Sequence, residues 1–227
     1  MRRALAPLAV LAALVAVGVL AGCGGGGHQL VGLTRDVEPQ VDGTPMPDVS
    51  DGGKPFTIRA PRDGLLVVYF GYTNCPDLCP TTLSDLKVAL GDLGDDASRV
   101  ETAMVTIDPT RDIPVLAKYV QSFIPGAHAL ATDDQPTLET VAGAFGVSYE
   151  VRTSPTGEVE VAHSSYLFAV DDAGKLVITW PVSTDAKTTT SSKDLAGDLR
   201  LLLRQATQAT PATQATPATQ AIQTTQA

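Results

Sequence analysis

Cysteine, histidine and tryptophan are scarce in this chain: three, three and one among 227 residues. Three cysteines are too few to knit a disulfide scaffold, so any core must be built by packing. Cations are short as well, with 16 Lys and Arg against 25 Asp and Glu and a formal net charge of −9. Binding to phosphate backbones needs an excess of cations, so this balance excludes nucleic acid as a partner. No apolar run reaches the roughly 20 residues of a spanning helix, which excludes a multi-pass membrane protein. Charged residues at 18% and hydrophobic ones at 44% exclude a wholly disordered or collagen-like chain. Once both ends are set aside, about 175 residues remain, enough for one well-buried domain.

The first 22 residues carry Arg2 and Arg3, then an apolar run from Leu8 to Leu20 that breaks into glycine around Cys23. Val19-Leu20-Ala21-Gly22-Cys23 resembles a bacterial lipobox, in which lipidation of the cysteine precedes cleavage before it. This predicts a signal peptide over 1–22 and a protein exported to the outer face of the cytoplasmic membrane, lipid-anchored at Cys23. A short transmembrane anchor is the alternative. Residues 23–54 read as a glycine-led tether, with His28 in it, followed by a lead-in lying along the domain as irregular structure or short hairpin strands. At the far end, Thr207 to Ala218 repeats the unit TQATPA without a charge or an aromatic. Such a segment cannot bury enough apolar surface to offset its ordering entropy, so 205–227 reads as a disordered Thr/Gln/Ala/Pro tail.

Between the ends, Leu65 to Phe70 is a continuous apolar run suited to a strand buried on both faces. Leu83, Leu86, Leu90 and Leu93 then mark one helical stripe over 80–93. Val100 to Ile107 reads as a strand and Ile113 to Phe123 as a helix with Asp112 as its N-cap. A short strand over 127–131 and a helix over 137–145, closed by Gly146, follow. The period then changes to two. Val147 to Arg152 and Glu158 to Ala162 flank a Ser-Pro-Thr-Gly turn, and Tyr166 to Val170 and Leu176 to Trp180 flank a second hairpin. A last helix runs from Ser192 to Arg204. The order predicts an α/β layer fold with a mixed central sheet flanked by helices.

Cys75 and Cys79 fall where the buried strand ends and the helix begins, in FGYTNCPDLCP (70–80). Helix N-terminal N–H groups stabilise thiolates, which predicts lowered pKa values for both. The spacing brings two sulfurs within reach of a disulfide or of one metal ion. A structural disulfide would close a loop of only about five residues and contribute only about 2 kcal/mol. Redox chemistry and metal binding remain, and soft thiolates suit Cu(I), Zn(II) or iron–sulfur chemistry. Among the histidines, His128 follows a Pro-Gly turn, as a surface residue would. His163 directly precedes the strand Tyr166 to Val170, yet a lone loop histidine is a weak signal by itself.

FGYTNCPDLCP, VTIDPTRDIP (105–114) and HSSYLFAVDDAGKL (163–176) together resemble the Sco/SenC family. Its members are copper-binding assembly factors of the respiratory chain with a thioredoxin-like fold, and the resemblance covers 55–204. It implies one copper ion, Cu(I) or Cu(II), held per domain by Cys75, Cys79 and His163. It places Asp108, Pro109, Arg111 and Asp112 near that site, with Asp108 either a turn or capping residue or a carboxylate orienting His163 or Arg111. Ile113 stands where the family has Thr. Tyr69, Phe70 and Trp180 read as core aromatics.

The resemblance implies a membrane-tethered copper chaperone serving the dinuclear copper centre of a cytochrome oxidase, with that oxidase's copper-accepting subunit as partner. The alternative is a thiol–disulfide oxidoreductase using Cys75 and Cys79 as a redox pair to reduce that subunit's cysteines. Thioredoxin-like reductases carry CxxC and a proline before the last hairpin. This chain has CxxxC and Ala162-His163-Ser164-Ser165 instead.

Overall fold

A computed structural model describes residues 28–209. The signal segment, Cys23 and most of the repetitive tail lie outside the described residues. β1 (Met46–Asp48) and β2 (Lys54–Phe56) form a hairpin, followed by β3 (Leu65–Gly71), α1 (Leu78–Asp92) and β4 (Val100–Thr106). Next come α2 (Pro109–Asp112), α3 (Leu116–Phe123), β5 (His128–Leu130) and α4 (Gln135–Phe145). The remainder is β6 (Tyr149–Thr153), β7 (Val159–His163), β8 (Tyr166–Val170), β9 (Leu176–Pro181) and α5 (Ser192–Ala209). Seven strands make one mixed sheet in the order β2-β1-β5-β4-β3-β8-β9, while β6 and β7 pair only with each other. β3 runs parallel to β4 and antiparallel to β8. Among the described residues no helix is long and apolar enough to cross a membrane.

All seven residues of β3 are buried, as a strand covered on both faces requires. Leu65, Val67 and Tyr69 face the layer of α1, α3 and α5, where Leu83, Leu116 and Leu199 pack. Leu66, Val68 and Phe70 face α4 through Leu138 and Phe145. Phe70, Phe145 and Phe168 meet edge-on with ring centroids 5.1–6.0 Å apart. Such rings contribute on the order of 2–3 kcal/mol each by burial. Tyr69, Phe70 and Trp180 are fully buried, as core aromatics.

Three expectations are corrected. Residues 28–54 are not a loose lead-in: Leu33 bridges Thr179 and Gln40 bridges Lys175, covering the open edge of β9. Val41 and Met46 lie in the core, and β1 and β2 are short hairpin strands, one of the two forms expected, that extend the sheet. The clamp is Asp198 of α5, fully buried, whose carboxylate accepts the Val31 and Gly32 N–H groups and Trp180 Nε1–H. His28 Nε2 lies 2.5 Å from its other oxygen, over Gly197, where a Cβ would collide with the imidazole at 2.4 Å. His28 is therefore a docked residue, not part of a tether.

The helix expected over 113–123 starts only at Leu116, as α3, and the separate short α2 precedes it. Ile113 keeps helical angles (φ −46°, ψ −44°), but Val115 leaves them (φ −126°), so the next helix starts at Leu116 and Asp112 ends α2 instead of capping a helix. Finally, α5 continues to Ala209, five residues into the segment expected to be disordered. Thr207 Oγ1 bonds the Leu203 carbonyl there and accepts from Arg99.

Candidate metal centre

The centre is built at the carboxyl end of β3, where the chain turns into α1. Gly71 lets the strand pass over the first helical turn, because a Cβ there would meet Cys79 Sγ at 3.1 Å and the Tyr69 ring at 2.7 Å. Cys79 is the second residue of α1 and fully buried, whereas Cys75 is half-buried in the connecting loop. Both thiols are free. The Cys79 backbone N–H donates to Cys75 Sγ at 3.2 Å, and Tyr69 Oη–H donates to Cys79 Sγ at 3.2 Å.

The helix end does not lower the Cys79 pKa as the sequence predicts. Burial pushes this thiol up to about 12 from 9.0, outweighing the Tyr69 hydrogen bond that favours the anion. Cys79 is thus a neutral thiol that loses its proton when a metal replaces it.

His163 ends β7, at the foot of the separate hairpin. Its Nδ1–H donates to the Ser164 carbonyl at 2.9 Å, which leaves the Nε2 lone pair free. Burial lowers its pKa, so the imidazole is neutral at pH 7. His163 and Cys75 line one open groove of about 470 Å³ with Tyr72, Pro76, Leu78 and Val182. Tyr72 packs edge-on against His163, centroids 6.0 Å apart. Burial and then the neighbouring Cys75 push its hydroxyl up to about 12.

Cys75 and Cys79 are thus in direct contact, and His163 shares the groove with Cys75. Among the described residues no three His, Cys, Asp or Glu side chains already stand at metal-holding separation. Two thiolates and a neutral imidazole nitrogen nevertheless form a donor set suited to copper or zinc.

Of the parts considered for Asp108, the structure shows the turn position before α2 and the pairing with Arg111, and not a contact with His163. Asp108 is buried and accepts from Arg111 Nε, and His163 is oriented by a backbone carbonyl instead. Arg111 acts toward the site through its charge on Tyr72. His128 pairs with Asp48 at 2.7 Å, in a separate pocket.

Asp112 was misread from the sequence. Fully buried, it accepts the Thr73 N–H at 3.0 Å, Thr73 Oγ1–H at 2.6 Å and Thr106 Oγ1–H at 2.6 Å.

The profile of the SCO1/SenC family matches residues 43–196. A protein of Stutzerimonas stutzeri called a putative copper-binding protein is 30% identical over 129 residues, 56% of this chain and 63% of that protein. The chain thus spans under two thirds of that relative. The solution structure of apo Sco1 from Thermus thermophilus superposes with a TM-score of 0.66 at 28% identity, covering 77% of this chain and 98% of that one. Bradyrhizobium japonicum ScoI, solved with copper bound, gives 0.58 at 24% identity, covering 70% and 96%. The fold is therefore the thioredoxin-like one expected, a mixed sheet flanked by helices.

Proposed function

Because the chain belongs to the SCO1/SenC family, we propose that it binds one copper ion through Cys75, Cys79 and His163. The observation that carries this reading is the state of His163: neutral, with Nδ1–H committed to Ser164 and Nε2 free, in the groove it shares with Cys75. Names of similar proteins support copper as the cargo: one is called copper-binding and another was solved with copper. Two thiolates suit Cu(I), and the imidazole nitrogen adds affinity for Cu(II).

The test is metal analysis of purified protein, reduced and oxidised. Cys75→Ala, Cys79→Ala and His163→Ala each lower copper retention sharply, and His128→Ala leaves it unchanged. Full retention of both oxidation states by His163→Ala removes the third ligand from the reading.

The Sco family is one of cytochrome c oxidase assembly proteins. The proposed role here is delivery of copper to the copper-accepting subunit of such an oxidase, from the outer face of the cytoplasmic membrane. Attachment there is through a lipid on Cys23, as Val19–Cys23 suggests. Mass spectrometry of the membrane fraction tests it, and a mature N-terminus at Met1 favours a transmembrane anchor instead.

A second reading, reduction of the acceptor's disulfide, has its own support in the half-buried Cys75 with free Cys79 behind it. The Cys75 thiolate would attack one sulfur of the partner's disulfide, forming a mixed disulfide while the other sulfur leaves and takes a proton. Cys79, losing its proton, would then attack Cys75, closing their disulfide and releasing the second thiol. Two electrons and two protons pass to the partner.

A further inference from the structure

The loop from Tyr72 to Asp77 carries the half-buried thiol yet has little structure of its own: the Cys75 N–H reaches the Tyr72 carbonyl at a long 3.4 Å. Two shorter bonds tie it across to the β4–α2 side of the domain, Thr73 N–H and Thr73 Oγ1–H, and both end on the carboxylate of Asp112. A third bond, from Thr106 Oγ1–H at the end of β4, holds that carboxylate in place. Every one of these donors is neutral, and Asp112 is fully buried.

An amide could accept from the same hydroxyls, so geometry alone does not call for an acid. A carboxylate buried without a cation is costly, and its charge acts strongly on whatever lies nearby in the same low-dielectric surroundings. The cysteines are what lie nearby. The half-buried Tyr119, whose hydroxyl is enclosed without a hydrogen-bond partner, lies within electrostatic reach of Cys79, Cys75 and Asp112, so the three share one neighbourhood.

We propose that Asp112 is a positioning residue for the copper loop, fixing Cys75 through Thr73, and that its buried negative charge biases the site toward Cu(II) over Cu(I). The proposal rests on the copper reading above. Cu(I) with two thiolates and a neutral imidazole carries a net charge of −1, and Cu(II) with the same ligands is neutral. A fixed anion alongside destabilises the first more than the second.

The experiment uses the full chain with Asp112→Asn and Thr73→Val, alongside wild type. Cu(I) and Cu(II) affinities are measured by competition, the thiolate-to-Cu(II) absorption band is recorded, and Cys75 alkylation is timed in the metal-free protein. Asp112→Asn is expected to shift the ratio of Cu(I) to Cu(II) affinity about tenfold or more toward Cu(I) and to move the band. Thr73→Val keeps the charge, so it leaves the ratio in place while changing the Cys75 alkylation rate severalfold.

A folded Asp112→Asn protein with a ratio within twofold of wild type overturns the charge role. An unchanged alkylation rate in Thr73→Val overturns the positioning role, and that arm stands if Asp112→Asn fails to fold. Absence of any thiolate-to-Cu(II) band in wild type would instead count against the copper reading, while the alkylation comparison still reads the loop.

Discussion

The two cysteines are unequal before any metal arrives, and the inequality can be measured. Cys79 is fully buried with its thiol pushed up to about 12, whereas Cys75 opens onto the groove. At pH 7 a thiol titrating near 12 is ionised in about one molecule in 100,000, against about one in 100 for a thiol at 9.0. The loss of thiolate alone slows Cys79 by about a thousandfold, and enclosure slows it further. In reduced, metal-free protein, iodoacetamide therefore labels Cys75 first and leaves Cys79 at least about 100-fold behind. The assay is a time course read by peptide mass spectrometry, with a denatured control in which the two rates converge. Folded-state rates within tenfold of each other would refute the reasoning, because neither burial nor the raised pKa could then be acting. The same shift has a sign in stability: the folded pKa lies above the unfolded one. Its contribution is whole below pH 9 and is lost as pH rises toward 12, so apo protein unfolds more readily across that window.

Other outcomes follow from single contacts. Asp198→Ala strands the Val31, Gly32 and Trp180 N–H groups and frees His28; a loss of about 3 kcal/mol is expected in denaturant unfolding, and less than about 1 kcal/mol would show the clamp to be idle. Gly71→Ala drives a methyl group toward Cys79 Sγ and the Tyr69 ring, costing about 1–3 kcal/mol and weakening copper retention; if neither unfolding nor retention moves, the close approach does not matter. If the redox pair and the copper ligands are the same thiols, stoichiometric Cu(I) suppresses reduction of an oxidised copper-site peptide by this protein. Equal rates with and without copper would separate the two activities.

What could be read in advance, and what could not, divides by how far apart the interacting residues lie in the chain. The buried run at Leu65–Phe70, the leucine stripe of α1 and the hairpin β8–β9 are periodic over a few residues, and their places in the sheet follow from that pattern. Cys75 and Cys79 are four apart, so their contact was legible as one helical turn. Asp112 answers to Thr73, 39 residues away, and His28 to Asp198, 170 away. Nothing local distinguishes a carboxylate that caps its own helix from one that holds a distant loop, since both are short acids beside a turn. The raised Cys79 pKa was missed for a related reason: the helix end is visible in sequence, but the burial that overrides it comes from Tyr69 and from α3 and α5 closing around it. The proposed copper donors were named through short motifs and the family resemblance they carry, whereas the groups around them come from packing between segments far apart in the chain. Asp112 is the residue where that difference has a chemical consequence: removing its charge tests the long-range part of the site without touching any donor.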